Sequence, residues 1–228
     1  MTEETAGPGA AGAYRYLLNG DVTAVSETWA REDLPAGRQR VTSRRSAPGV
    51  EIAVDAVLGE GLVAFCVITW QSGNTSVEAD YEWRDNELYC RRTQGDASSV
   101  EQRIDRDQEG PLLLFPLMRI FVGPVIARLL DNGGTGDVLV PDIRQPDDPA
   151  SLLTPRVSQR MASVLDGRTA LDIDGVTVPC RLCEYTGEQY GTGSRFWLDG
   201  RETLLRYQWQ QGPDQHWDVW LQTHSQAQ

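Results

Sequence analysis

The sequence predicts a mostly β protein: a curled antiparallel sheet or open β-barrel with a short helical insert acting as lid or plug. Three observations carry this. Most of the 228 residues read with a period of two. Turn residues recur between the apolar runs. One central segment, 111–130, breaks the pattern with a nearly continuous apolar run.

Residues 76–84 are the cleanest strand. Val77, Ala79, Tyr81 and Trp83 alternate with Glu78, Asp80, Glu82 and Arg84, the mark of a half-buried strand. Residues 50–58 place Val50, Ile52, Val54, Ala56 and Leu58 on one face. Residues 62–70 are apolar almost throughout and read as a strand buried on both sides. Gln71-Ser72-Gly73-Asn74 and Asp85-Asn86 suit hairpin turns. Further strands are expected at 13–19, 22–31, 38–46, 88–93 and 98–105. After the middle, 156–172 reads as one long or broken strand around Asp166-Gly167. Strands at 176–186, 194–199, 203–210 and 217–223 follow. A sheet of this size must curl, close or split, and closure removes its edges.

The aromatic residues support one sheet made from two halves. Of 18 aromatics, only Phe115 and Phe121 lie between Cys90 and Tyr185. The insert, about 111–132, is predicted to form two short helices starting at Pro116 and Pro124. Gly123 separates them, and Asn132-Gly133 caps the second. Residues 133–149, rich in Gly, Pro and acids, read as an exposed crossing loop. Residues 1–12 and 225–228 are expected to be disordered, leaving a single domain over 13–224.

The net charge of -12 and the absence of any Lys exclude whole classes of function. A Schiff-base Lys or a P-loop Lys is impossible. The acidic balance argues against nucleic acid, whose partners carry a basic footprint. The N-terminus lacks the basic start and apolar core of a signal peptide, so a cytoplasmic protein is expected. Cys180 and Cys183 form a C-x-x-C, but residues three apart on a strand point to opposite faces. Buried free thiols are therefore expected at Cys66, Cys90, Cys180 and Cys183, with no metal and no cofactor. The stretch 131–137 has neither EF-hand nor Walker spacing and reads as a helix cap and loop.

The insert needs a reason. Twelve of its side chains between Leu112 and Leu130 are Leu, Ile, Val or Phe, worth roughly -4 to -7 kcal/mol for membrane insertion. Arg119 and Arg128 offset this by about +5 to +7 kcal/mol, so no transmembrane segment is expected. Left exposed, the run would exceed the apolar patch a soluble monomer tolerates. It must cover the sheet, a ligand, a membrane surface or a second chain, so a homodimer through the insert stays open.

The run Tyr185-Thr186-Gly187, then Arg195-Phe196-Trp197-Leu198-Asp199, then Leu204-Leu205-Arg206-Tyr207-Gln208-Trp209 resembles the ending of bacterial proteins of unknown function assigned to the lipoprotein-carrier (LolA/LolB-like) superfamily. The broader pattern, over 13–223, resembles the same open barrels with helices inserted mid-chain. The resemblance implies a barrel that binds lipid-like molecules. It implies no catalytic residues, although the same barrel serves as an enzyme in some natural-product pathways.

The function expected is a binding protein for a hydrophobic small molecule or lipid-like ligand held in a barrel cavity. Trp29, Trp70, Tyr81, Trp83, Phe115, Phe121, Phe196 and Trp209 are the candidate lining residues. The alternatives are a cyclase- or isomerase-type enzyme on an apolar substrate, or an interaction module using the insert. For catalysis the candidates are Glu27, Glu184, Arg206 and Tyr207, polar residues on otherwise apolar strand faces. A carboxylate in an apolar cavity gains a raised pKa and can serve as acid or base.

Overall fold

A computed structural model describes residues 9–84, 87–95, 99–104, 112–188 and 190–222. Among them, fifteen strands form one sheet. The first half supplies β1 (Ala10–Leu18), β2 (Asp21–Leu34), β3 (Arg38–Ala47), β4 (Val50–Gly59), β5 (Leu62–Ser72), β6 (Thr75–Arg84), β7 (Glu87–Gln94) and β8 (Val100–Ile104). The insert contains β9 (Leu113–Leu114), a 3-10 turn (Arg119–Phe121) and α1 (Val122–Asp131). The second half supplies β10 (Thr135–Pro141), β11 (Pro155–Ile173), β12 (Val176–Thr186), β13 (Arg195–Leu198), β14 (Leu204–Gln210) and β15 (His216–Gln222).

Each half is a meander, because short turns force sequential strands to pair antiparallel. Asn19 and Gly20 both take left-handed φ, 54° and 90°, as a two-residue type I′ hairpin requires. The halves join where β1 pairs with β15, Tyr14 opposite Leu221. The strand order therefore runs from β8 back to β1, then from β15 back to β9. The sheet curls without closing, and β9 comes to lie against β5.

The curl gives the sheet an inner and an outer face. One inner row crosses five strands: Glu27, Arg45, Ile52, Trp70 and Val77. The expectation for 62–70 is corrected here. Only one face of β5 is buried, with Val63, Cys66, Ile68 and Trp70 inward, while Leu62 and Phe65 are each 36% exposed. A curled sheet with a single insert inside it has nothing to cover its outer face.

The insert differs from its expectation in three ways. Pro116 starts no helix, and Gly123 separates none. The 3-10 turn runs directly into one helix, α1, with Gly123 and Pro124 inside its first turn, where Pro removes no needed donor. Asn132 caps the other end by donating its Nδ2–H to the Arg128 carbonyl at 2.8 Å. Third, the stretch 133–149 is not all exposed loop. It holds β10, whose Val138, Leu139 and Val140 are buried. β10 pairs antiparallel with β11 and parallel with β9. A parallel pair needs a long crossover connection, and the turn and helix of the insert supply it.

β1 starts at Ala10, inside the span 1–12 expected to be disordered; residues 1–8 and the tail 225–228 lie outside the described residues, as does the Asp85-Asn86 turn. Among the described residues, no helix is long and apolar enough to cross a membrane.

Candidate functional site

The insert fills the inside of the curl. Leu113, Phe115, Leu117, Met118, Ile120, Phe121, Val125, Ile126 and Leu129 are all buried within their own chain. Apolar burial of this kind is worth about 1.5–3 kcal/mol per large side chain, which explains why the run folds inward. Where the insert meets β4 and β5 little room remains. The space bordered by Leu58, Val63, Leu114, Phe121 and Val125 is about 10 Å³, at most one water molecule.

A small set of polar groups fixes the insert to the wall. Glu27 of β2 is 0% exposed. Its Oε2 accepts the Tyr16 hydroxyl at 2.6 Å, and its Oε1 accepts the backbone N–H of Arg119 at 2.6 Å. Extra residues of β2 bulge opposite Tyr16, between the Arg15–Ser26 and Leu17–Val22 pairs. Bulges of this sort re-aim side chains, and this one brings Tyr16 onto Glu27. Beside Glu27, Arg45 donates Nη1–H to the Leu117 carbonyl at 3.3 Å. Leu117 takes φ 67°, a costly conformation for a residue with a Cβ, held here by the surrounding contacts.

Arg119 is 7% exposed. It donates Nη1–H to the Tyr190 hydroxyl at 2.7 Å, and its guanidinium lies 4.9 Å from the centre of the Tyr207 ring. A desolvated cation over an aromatic face is worth about 2 kcal/mol. Tyr190 is placed by the loop after β12, which buried Arg160 anchors. Arg160 donates to the Gly187 carbonyl at 2.7 Å and pairs with Glu188 at 3.1 Å. Around these groups Tyr185, Tyr190, Phe196, Tyr207, Trp209 and Trp217 form a continuous aromatic wall, with Phe196 stacked on Tyr207 at 5.4 Å between centroids.

Burial pushes the phenols of Tyr16 and Tyr207 well above their ordinary range, with the Glu27 charge adding to the effect. Both stay protonated near neutrality, and Tyr16 donates to Glu27. Arg119 Nε, Tyr207 Oη and Trp209 Nε1 are buried with no hydrogen-bond partner among the described residues. Native structures leave few such groups orphaned. The inner wall thus offers donors suited to an acceptor oxygen.

The structure separates the four catalytic candidates. Glu27 and Tyr207 face inward and share the Arg119 cluster. Glu184 faces outward, where its Oε1 accepts the Gly193 N–H at 2.6 Å. Arg206 also faces outward, doubly hydrogen-bonded to Asp218 at 2.9 and 2.6 Å and stacked 3.8 Å from the Trp220 ring centre. Strand alternation puts Glu184 opposite in sense to Tyr185, and Arg206 to Tyr207.

Of the proposed lining residues, Trp29, Trp70, Tyr81, Phe115, Phe121, Phe196 and Trp209 are buried in one core, and Trp83 packs against it. Tyr16, Arg119 and Tyr190 belong to this candidate cluster and were not among the residues the sequence singled out for it. Tyr16 had a signal in its alternation with Leu17. Arg119 had one as a lone cation in an apolar run. Tyr190 lies in a loop and had none. The C-x-x-C cysteines sit on uninterrupted β12, both buried and free.

No family model and no curated protein matches the chain. Among solved structures it is similar to the crystal structure of a beta-barrel-like protein of the domain of unknown function DUF1849 from Brucella abortus. The two share 10% identity and a TM-score of 0.52, over 97% of this chain and 98% of that one. The likeness extends over the whole sheet and shows a common barrel-like fold.

Proposed function

We propose that the protein is a lipoprotein-carrier-like barrel that binds an apolar small molecule, with the insert as a gate that yields its place to the ligand. The observation that carries this reading is the way the insert is held. An apolar segment occupies the space a ligand would need, against an aromatic wall, and apart from the short β9–β10 ladder, the Phe115–Leu139 backbone bond and the Arg128–Glu60 contact few polar links pin it: Glu27 to Arg119, Arg45 to Leu117 and Arg119 to Tyr190. A ligand that replaces the insert meets the same apolar wall, and the displaced insert has to keep its own apolar face covered. The partnerless donors on the wall suit a ligand oxygen.

The test uses protein stripped of bound lipid and the neutral fluorescent probe N-phenyl-1-naphthylamine. Arg45→Ala removes a link that exists only with the insert in place. An ionic hydrogen bond is worth about 1.5–3 kcal/mol, and apparent affinity follows the fraction of open protein. Probe binding is expected to tighten by about tenfold or more. Absence of probe binding, together with absence of any co-purified apolar molecule in native mass spectrometry, would refute the reading.

A second reading, an isomerase- or cyclase-type enzyme in the same interior, is favoured by one observation: Glu27 and the partnerless Tyr207 hydroxyl share the Arg119 cluster. In it Tyr207 is a donor to a substrate oxygen. Tyr207→Phe then abolishes turnover while leaving probe affinity unchanged; equal loss of both sinks this version.

A further inference from the structure

A second cleft, of about 640 Å³, is already open at one end of the barrel. It lies between a bulged part of β11, the facing part of β12, and the turn from β13 to β14. The bulges fall between Val164 and Thr169, where the β11 register shifts twice against β12. They leave part of the ladder unpaired and place Arg168 beside Arg181.

Many surface arginines are paired with carboxylates; of those without such a partner among the described residues, Arg15, Arg195 and Arg201 included, Arg168 and Arg181 share one cleft. Arg40, Arg44, Arg84, Arg91 and Arg144 are each paired with a carboxylate, respectively Asp55, Glu51, Glu82, Asp80 and Asp142. The Arg168 and Arg181 guanidinium groups have no hydrogen-bond or ion-pair partner among the described residues, although both line the cleft. Arg181 is half-buried, and its Nε is shielded from solvent without a partner. A chain with 33 acidic residues does not lack carboxylates to pair with, so two unpaired cations on one cleft call for an occupant.

The cleft's own acids do not supply it. Asp199 Oδ1 accepts the N–H groups of Arg201 at 2.9 Å and Thr203 at 2.7 Å, and so closes the β13–β14 turn. Glu202 follows in that turn with φ 63°. Neither forms an ion pair with Arg168 or Arg181. The rest of the lining includes Ala170, Pro179 and Leu198, an apolar floor next to the two cations.

We propose that this cleft binds the oxyanion end of an amphipathic small molecule, with Arg168 and Arg181 holding a carboxylate or phosphate and Ala170, Pro179 and Leu198 receiving the adjoining apolar portion. Guanidinium groups recognise such oxyanions through paired, charge-assisted hydrogen bonds. The cleft adjoins the insert, since Leu198 and Glu202 also pack against Gly123, but it is open with the insert in place and does not require the insert to move.

Calorimetric titration of the full chain with octanoate, octyl phosphate, acetate and octan-1-ol tests this. Octanoate and octyl phosphate are expected to bind, and more weakly at high salt. Acetate and octanol are expected to bind at least tenfold more weakly. Arg181→Gln and Arg168→Gln are each expected to weaken octanoate binding by about 10- to 100-fold, the usual worth of an ionic hydrogen bond. Arg195→Gln, which removes an exposed arginine on the outer face, is expected to change nothing. Unchanged thermal melting shows that the variants fold, and Arg181→Lys, which keeps the charge, should recover part of the affinity. The proposal is overturned if octanoate fails to bind, if acetate or octanol binds as well, or if Arg195→Gln weakens binding as much as Arg181→Gln. Binding of the neutral naphthylamine probe reports separately on the interior, so either site can fail alone.

Discussion

Replacing Glu27 tests how the insert is held. The side chain is fully buried and both oxygens accept hydrogen bonds, one from Tyr16 and one from the Arg119 backbone. Glu27→Gln keeps the shape, but its amide group presents a donor where one oxygen accepted, so one link is lost. A buried hydrogen bond to a charged group is worth about 1.5–3 kcal/mol. At roughly 2–4 °C per kcal/mol for a chain of this size, the melting temperature should fall by about 3–12 °C. Glu27→Ala strands both donors and leaves a cavity, so it should cost about 3–6 kcal/mol, a large part of a typical stability of about 5–15 kcal/mol. Urea titration of Glu27→Gln, Tyr16→Phe and the double variant measures this. Because Tyr16 and Glu27 share one bond, the double variant should lose less than the sum of the singles, by more than about 0.5 kcal/mol. Additive losses, or a Glu27→Gln variant within about 0.5 kcal/mol of the parent, would show that the link contributes nothing.

Gly123→Ala should destabilise the protein by about 1–3 kcal/mol or more in the same assay, although Ala ordinarily favours a helix over Gly by about 1 kcal/mol. A Cβ at Gly123 would lie 1.7 Å from the Glu202 carbonyl oxygen, whereas one at Gly167 meets nothing within 4 Å, so Gly167→Ala should be near neutral. Burial pushes the Cys66 thiol far up and the Cys90 thiol to about 11; both should stay silent to Ellman's reagent at pH 8 in native protein and react once it is unfolded. The hydrogen bonds from Arg144 hold the Asp142 carboxyl below its usual range, so its stabilisation is complete above the unfolded-state value of about 3.9 and is lost as pH falls through the lower folded value. The stability gap between the parent and Asp142→Asn should accordingly be present at pH 7 and close at more acidic pH in urea titrations.

The regular strands were legible because each has one buried and one exposed face, and period two records that difference residue by residue. β10 was not. Its Val138, Leu139 and Val140 are all buried, so nothing alternates, and its Gly and Pro flanks carry the composition of a loop. β9 spans two residues, too few for any period. The continuous apolar character of 62–70 misled in the opposite sense, since Leu62 and Phe65 tolerate solvent. At the candidate site, Glu27 and Tyr207 could be named because a polar group on an apolar strand face is conspicuous. Glu184 and Arg206 looked alike in sequence, and only register decides which face turns inward. Arg119 entered as an obstacle to membrane insertion; the same charge, inside the protein, ties the insert to Tyr190 and Tyr207.

The pairing of β1 with β15 has a consequence for how the chain is made. β1 is the middle strand of the sheet, yet its partner β15 is the last of the fifteen described strands to be made. Throughout synthesis the first meander, β1 to β8, carries an open hydrogen-bonding edge on β1. Such an edge is a template for another chain, and distant pairings form slowly. Nascent protein is therefore most exposed to aggregation before residue 216 emerges. A circular permutant that joins the termini and opens the chain between β8 and β9 would turn the strands from β10 through β15 and on from β1 to β8 into one meander, in which every antiparallel pair forms between consecutive strands.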